Sequence, residues 1–294
     1  MSGFSIRGAA FPARVLEPGL YIVATPIGNL GDITIRALDT LASATLVACE
    51  DTRVSGKLLK HFGISSRMLS YHEHNAGPAG EKILAAIRQG GSVALITDAG
   101  TPIISDPGQR LVALVRGHGL PVWPVPGASA PVAALSASGM ANDAFLFAGF
   151  LPTKEMARRA RLREFKALKA TLVFFESPNR LDKALADIAA ELGETREVAI
   201  CREITKLHEE QVWGTAGELA HAYAGKAVKG EIVLLIAPPQ EEALIDPDAL
   251  IGELLERMSV SEAAAEAARM TGLPRRMLYS RALELAKPQT GDAQ

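Results

Sequence analysis

Along the first 240 residues, short apolar runs rich in β-branched side chains alternate with stretches whose apolar positions recur every three or four residues. The runs predict strands at 20–24, 45–49, 93–96, 121–125, 145–148, 171–175, 197–201 and 231–236. The longer-period stretches predict helices at 78–89, 108–118, 155–169 and 178–192. Several strands are apolar at successive positions, as happens when helices cover both faces of a sheet. The alternation therefore predicts an α/β fold.

A division falls near 149–153, where Gly149-Phe150-Leu151-Pro152-Thr153 ends an apolar segment and a charged helix begins. Pro238-Pro239 closes the second half, and an acidic linker (Glu241, Glu242, Asp246, Asp248) leads into a wholly helical segment. There, Ser259 and Glu262 form a capping box, Gly272 ends the helix and Pro274 starts another. The expected organisation is a disordered tail over 1–18, an N-terminal α/β domain over 19–149 and a C-terminal α/β domain over 150–240. A helical extension over 241–294, an αα-hairpin or a helix-turn-helix, completes it.

Composition narrows the class. At 294 residues, 48% apolar and 22% charged, the chain is neither disordered nor collagenous nor a coiled coil. Cys49 and Cys201 sit in apolar runs without CxxC or zinc spacing, which suits core thiols in a reducing cytoplasm. The first residues lack the apolar core of a signal peptide. Residues 120–153 carry only one charge, Asp143, yet their prolines and Gly139 break the stretch short of a membrane span. Net charge is −2, which gives no overall pull toward nucleic acid, but the balance is local. Residues 154–169 hold seven Lys or Arg against two Glu. Phosphate contact and a solvated helix face are the two readings of that excess.

Candidate chemistry lies in loops that follow strands. Thr25-Pro26-Ile27-Gly28-Asn29-Leu30-Gly31-Asp32 follows the first, and its glycines allow close backbone approach to a ligand or simply a strand–helix turn. The second loop, 97–108, holds two prolines, two glycines and two aspartates before a helix. Rigid loops at the carboxyl ends of strands are where open α/β sheets bind ligands, while Asp98 and Asp106 also suit helix capping, the role assigned to Asp106. The third, 126–131, is built of small residues fit either for a flat cofactor or for tight packing. Neither GxGxxG nor GxxxxGK[ST] occurs.

Together with Glu50-Asp51-Thr52-Arg53, Ser70-Tyr71-His72-Glu73-His74-Asn75 and Phe175-Glu176-Ser177-Pro178-Asn179-Arg180, these loops resemble the 16S ribosomal RNA cytidine 2'-O-methyltransferases of the tetrapyrrole methylase superfamily. The resemblance runs in order from about Gly19 to the end of the chain. It implies two α/β domains with S-adenosylmethionine in the cleft between them, usually in a homodimer. The substrate it implies is 16S ribosomal RNA in the 30S subunit, methylated at the ribose of cytidine 1402 in the decoding region. Carried over by motif, the cofactor residues would be Pro26, Ala99, Gly100, Thr101, Ile104, Ser129, Ala130, Glu176 and Gly214. Where the superfamily usually has GxGPGD this chain has Pro26-Ile27-Gly28-Asn29, and Glu176 stands where relatives often have Met.

A ribose hydroxyl needs a base or donors that favour its alkoxide, and Glu50, Asp51, Arg53, His72, Glu73 and His74 are the candidates. Asp51, Arg53 and His72 are taken as the catalytic set, against helix capping for the first pair and a polar loop for the histidine. The His-Glu-His triplet lacks a third ligand at helical spacing, so no metal is expected. Arg158, Arg159, Arg161, Arg163 and Lys206 are the expected RNA contacts, with His208, Arg275, Arg276 and Arg281 as further basic candidates. A same-fold methylase acting on a tetrapyrrole or other small molecule is the alternative. A non-catalytic nucleic-acid-binding protein using the last fifty residues is a third reading.

Overall fold

The computed structural model describes residues 2–239 and 246–286, and the chain divides into a compact unit ending at Pro239 and a second unit beyond it. The first unit opens with a hairpin, β1 (Gly3–Ile6) and β2 (Ala9–Pro12). It continues through β3 (Gly19–Val23), α1 (Ile35–Ser43), β4 (Leu46–Cys49), α2 (Thr52–His61), β5 (Met68–Ser70) and α3 (Ala76–Arg88). Then come β6 (Ser92–Leu95), α4 (Gln109–Gly117), β7 (Val122–Val125), α5 (Ala130–Ser138), β8 (Phe145–Phe150) and α6 (Glu155–Glu164). The unit ends with β9 (Thr171–Glu176), α7 (Leu181–Leu192), β10 (Glu197–Arg202), β11 (Glu210–Thr215), α8 (Ala216–Tyr223) and β12 (Ile232–Ile236).

Two five-stranded sheets organise it. The first has order β5-β4-β6-β3-β7 with every pairing parallel. Its central strands are buried on both faces, which explains their unbroken apolar runs: Leu20, Val23, Val47, Ala48, Val93 and Ala94 are inaccessible to solvent. The second has order β11-β10-β12-β9-β8 and is antiparallel except between β8 and β9. Helices α6, α7 and α8 share one of its cores through Leu162, Leu185, Ile188 and Leu219. Helix α5 packs on β9, β10 and β12 through Ala134 and Leu135.

Two expectations are corrected by these pairings, and two strands are added. Residues 3–12 are a hairpin and not a disordered tail. Phe4 is buried beside Phe62 and Ile64, stacks on Phe11 at 5.5 Å, and Arg7-Gly8 supplies the two positive φ angles of a tight two-residue turn. Strand 145–150, assigned by sequence to the first domain, is the edge strand of the second sheet. Strands β5 and β11 were not predicted, and both are short or half-exposed edge strands whose polar residues dilute the apolar pattern.

The second unit consists of α9 (Pro247–Leu255), α10 (Val260–Thr271) and α11 (Arg275–Leu285) around Ile251, Ala264, Ala267, Leu278 and Ala282. The expected capping box is present at Ser259 and Glu262, and Gly272 stops α10 at φ +67°. Ranges expected over 241–245 and 287–294 lie outside the described residues. Among the described residues, no helix is long and apolar enough to cross a membrane.

Candidate cofactor cleft

Parallel strands send all their carboxyl ends to one edge, and the strand order then fixes which loops are neighbours. Reading across the first sheet, His72 follows β5, Glu50 and Asp51 follow β4, 97–108 follows β6, Thr25–Gly28 follows β3, and 126–129 follows β7. Motifs scattered over a hundred residues thus form one rim. Hydrogen bonds stitch it. Thr25 N–H donates to Gly100 O at 2.9 Å and Gly100 N–H donates back to Thr25 O at 3.1 Å. The Thr25 hydroxyl donates to Thr97 O at 3.0 Å, and the Thr101 hydroxyl to Ala128 O at 3.1 Å.

Between this rim and the second sheet lies a cavity of about 390 Å³, within the roughly 300–1,000 Å³ usual for small-molecule sites. Of the cofactor residues expected from sequence, Ala99, Gly100, Thr101, Ile104, Ser129, Ala130 and Glu176 line it. Pro26 is buried directly before the lining residue Ile27, and Gly214 lies on β11 against Leu219 and the α8 cap, outside the lining. Gly28 has a different reason to be glycine, since a Cβ there would collide with the Lys206 side chain crossing above it. Sequence reasoning missed Phe150, Phe175, Ile204 and the stretch 230–233, which complete the wall from the second sheet. No loop-after-strand signal marks these, because several belong to strand interiors and starts.

The second loop carries backbone strain. Ile103 and Ser105 adopt φ of +78° and +67°, a cost of about 1–3 kcal/mol each for residues with a Cβ. The result turns Ile104 and Asp106 into the cavity. Asp106 does not cap the following helix, because the N-cap of α4 is Gly108, which makes no side-chain cap bond. Its expected structural role is thereby corrected.

Glu176 is 3% exposed at the end of β9. Its Oε1 accepts from Ser177 N–H at 2.6 Å and from Arg180 Nη2 at 2.6 Å, while the buried Oε2 has no partner. Burial pushes its pKa up, against the pull of the Ser177 amide and Arg180. Burial likewise raises Glu50, Asp98 and Asp106, reinforced by nearby carboxylates: Asp98 and Asp106 act on Glu50, Asp51 on Asp98, and Asp98 on Asp106. Asp51 instead caps α2 and takes Arg53 bidentately, at 3.1 Å to Oδ1 and 2.6 Å to Oδ2, which holds its pKa at about 2. His72 leaves a buried Nδ1 unpartnered, and no group of three or more His, Cys, Asp or Glu is arranged to hold a metal among the described residues.

These directions set a pH dependence. A carboxyl raised by folding binds its proton more tightly in the native chain, so its contribution is present below the unfolded value near 4 and is lost as pH rises through the folded value. Groups held low, such as Asp51 and Glu203, contribute above the unfolded value and lose it only as pH falls. Between pH 4.5 and 7 the melting temperature of wild type is therefore expected to decline with pH. Glu176→Gln, which removes one of the raised carboxyls, should decline less steeply than wild type. Thermal scans across that range test it, and parallel slopes would contradict it.

The basic helix divides. Arg158 is 3% exposed, with Nη2 at 2.6 Å from Asp187 and Nη1 donating to Thr153 O at 3.2 Å, so it is a core ion and not an RNA contact. Arg159 pairs with Glu191 and Arg161 with Glu164, each at 2.5 Å, and Arg163 lies 3.6 Å from Glu191. All three keep outward surface. Lys206 bridges Glu203 and Glu231 at 2.8 and 3.0 Å.

A parallel sheet whose loop-rich edge meets a mixed sheet across a small-residue cleft defines a methylase class, and the family model for Tetrapyrrole (Corrin/Porphyrin) Methylases matches residues 19–220. A second model, the RsmI C-terminal HTH domain, matches 241–286. The chain belongs to the tetrapyrrole methylases and, within them, to the ribosomal RNA small subunit methyltransferase I family. A relative of that name from Mesorhizobium japonicum is 56% identical, over 93% of this chain and 94% of its own. Another from Erythrobacter litoralis is 54% identical, over 93% and 97%. A solved uroporphyrin-III C-methyltransferase from Thermus thermophilus, complexed with S-adenyl homocysteine, shares the fold at TM-score 0.53 and 20% identity, over 74% of this chain and 96% of that one. The ligand of that neighbour, S-adenyl homocysteine, is what S-adenosylmethionine becomes on giving up its methyl group. The cleft fits it: small residues and Gly100 at φ +84° leave room for a flat base, and the orphan Glu176 Oε2 awaits a donor.

Proposed function

We propose that the protein transfers a methyl group from S-adenosylmethionine to the ribose 2'-hydroxyl of one cytidine in the decoding region of 16S ribosomal RNA. The observation that carries this is the near full-length match, through methylase body and helical extension alike, to relatives named ribosomal RNA small subunit methyltransferase I. Ala99, Gly100, Thr101, Ser129, Ala130 and Glu176 would hold the donor, which supplies an electrophilic methyl group. Small residues and backbone groups can hold its zwitterionic end and adenine without placing a cation beside the sulfonium. Asp51, Arg53 and His72, at the ends of β4 and β5, would orient the ribose and its phosphate. Arg159, Arg161 and Arg163 would meet the RNA backbone, giving salt-sensitive binding. The reading includes a homodimer acting in the cytoplasm.

Incubation of 30S subunits lacking this modification with methyl-tritiated S-adenosylmethionine is expected to incorporate one methyl group per subunit. Incorporation into a tetrapyrrole and none into RNA would overturn the assignment.

A further inference from the structure

Of the acidic side chains lining the cleft, two are already committed. Glu176 is bound by Arg180 and Ser177, and Glu231 accepts from Lys206 Nζ at 3.0 Å. The third, Asp106, forms no ion pair among the described residues. It is half-buried, it does not cap α4, and the strained residues before it and Pro107 after it fix its backbone. Asp98 at the end of β6 and Glu50 at the end of β4 lie within electrostatic range, and the Thr97 hydroxyl bonds to it. A carboxylate without a cation, facing a cavity that holds a methyl donor, is placed to take a proton.

We propose that Asp106 is the general base of methyl transfer, meeting the acceptor ribose hydroxyl beside the transferred methyl group. The inference rests on the ribose reading given above. In the step, the hydroxyl oxygen forms a bond to the methyl carbon as the carbon–sulfur bond breaks, its electron pair passing to sulfur to leave a neutral thioether. The hydroxyl proton goes to Asp106, which is neutral while it holds it, and then passes to water, which restores the carboxylate and carries off the positive charge the sulfonium has lost. Burial and the neighbouring Asp98 raise its proton affinity above that of an ordinary aspartate, against the pull of the Thr97 hydroxyl, and a stronger base takes the hydroxyl proton more readily.

Asp106→Asn in the full-length protein separates the possibilities. Sinefungin, the cofactor analogue with an amine where the methyl group is carried, places a cation at the transferring position, and S-adenosylhomocysteine places none. By calorimetry the variant is expected to bind S-adenosylhomocysteine within about twofold of wild type and sinefungin at least about tenfold more weakly. Single-turnover transfer to 30S subunits should slow by about 10²–10³-fold. Asp106→Glu, which keeps the charge, should recover the preference for the amine. Unchanged sinefungin binding together with transfer within threefold of wild type would overturn the proposal. So would loss of S-adenosylhomocysteine binding in both variants, which would make Asp106 a residue that holds the donor. If wild type methylated no ribose, the acceptor assignment would fail, while the contrast between the two analogues would still decide where Asp106 sits.

Discussion

Arg158→Ala is expected to destabilise the protein by about 3–5 kcal/mol, the usual cost of removing one partner from a buried ion pair. Asp187, only 10% exposed in its side chain, would lose its close partner and keep only the longer contact of 4.0 Å to Arg159 Nε, itself already paired with Glu191. The carbonyls of Pro152 and Thr153 would also lose their guanidinium donor where the chain enters the helix. Arg161→Ala, three positions on, should cost no more than about 1 kcal/mol, because its pair with Glu164 is half-exposed. Urea unfolding of the two variants separates a core ion from a surface ion. A loss below about 1 kcal/mol for Arg158→Ala would contradict the assignment. Replacing the pair together, as Arg158→Met with Asp187→Leu, should recover much of the loss, because no charge is then stranded.

Gly100→Val should weaken S-adenosylhomocysteine binding by about 10²-fold. At φ +84° a β-branched residue is strained by about 1–3 kcal/mol or more, so the loop must shift, and the loss of affinity comes from the donor contacts that this shift removes. A Cβ at this position lies 3.3 Å from Ile27 Cγ2, and the added methyl groups would enter the space the donor needs. Displacing Gly100 also breaks its reciprocal hydrogen bonds with Thr25, which join two of the three loops. Gly90→Ala is the control. It imposes a similar backbone strain at φ +85°, with no heavy atom within 4 Å of the new Cβ and no part in the cleft. It should lower stability and leave binding alone. Calorimetric titration of both variants decides it, and a Gly100→Val affinity within threefold of wild type would count against this account of the cleft.

The parallel half was legible in the sequence because its strands are buried on both faces and its ligand loops carry glycine and proline at strand ends. The rim needed only that reading plus the strand order. What escaped depends on partners distant along the chain. Arg158 reads as one of seven basic residues on a helix, and only Asp187, 29 residues on, makes it a core residue. Asp106 reads as a cap because it precedes proline, yet the helix starts after Gly108. The hairpin over 3–12 carries its signal in an alternation only four residues long. Phe150 and 230–233 join the cavity through the packing of two sheets, which no local pattern encodes.

The central claim concerns the acceptor atom. Subunits methylated by the protein with isotopically labelled donor, digested to nucleosides and resolved by mass spectrometry, report it directly. The account predicts the label in a single 2'-O-methylcytidine, mapped by nuclease protection to the decoding region. Label on a base, or on the ribose of nucleotides scattered through the RNA, would contradict it.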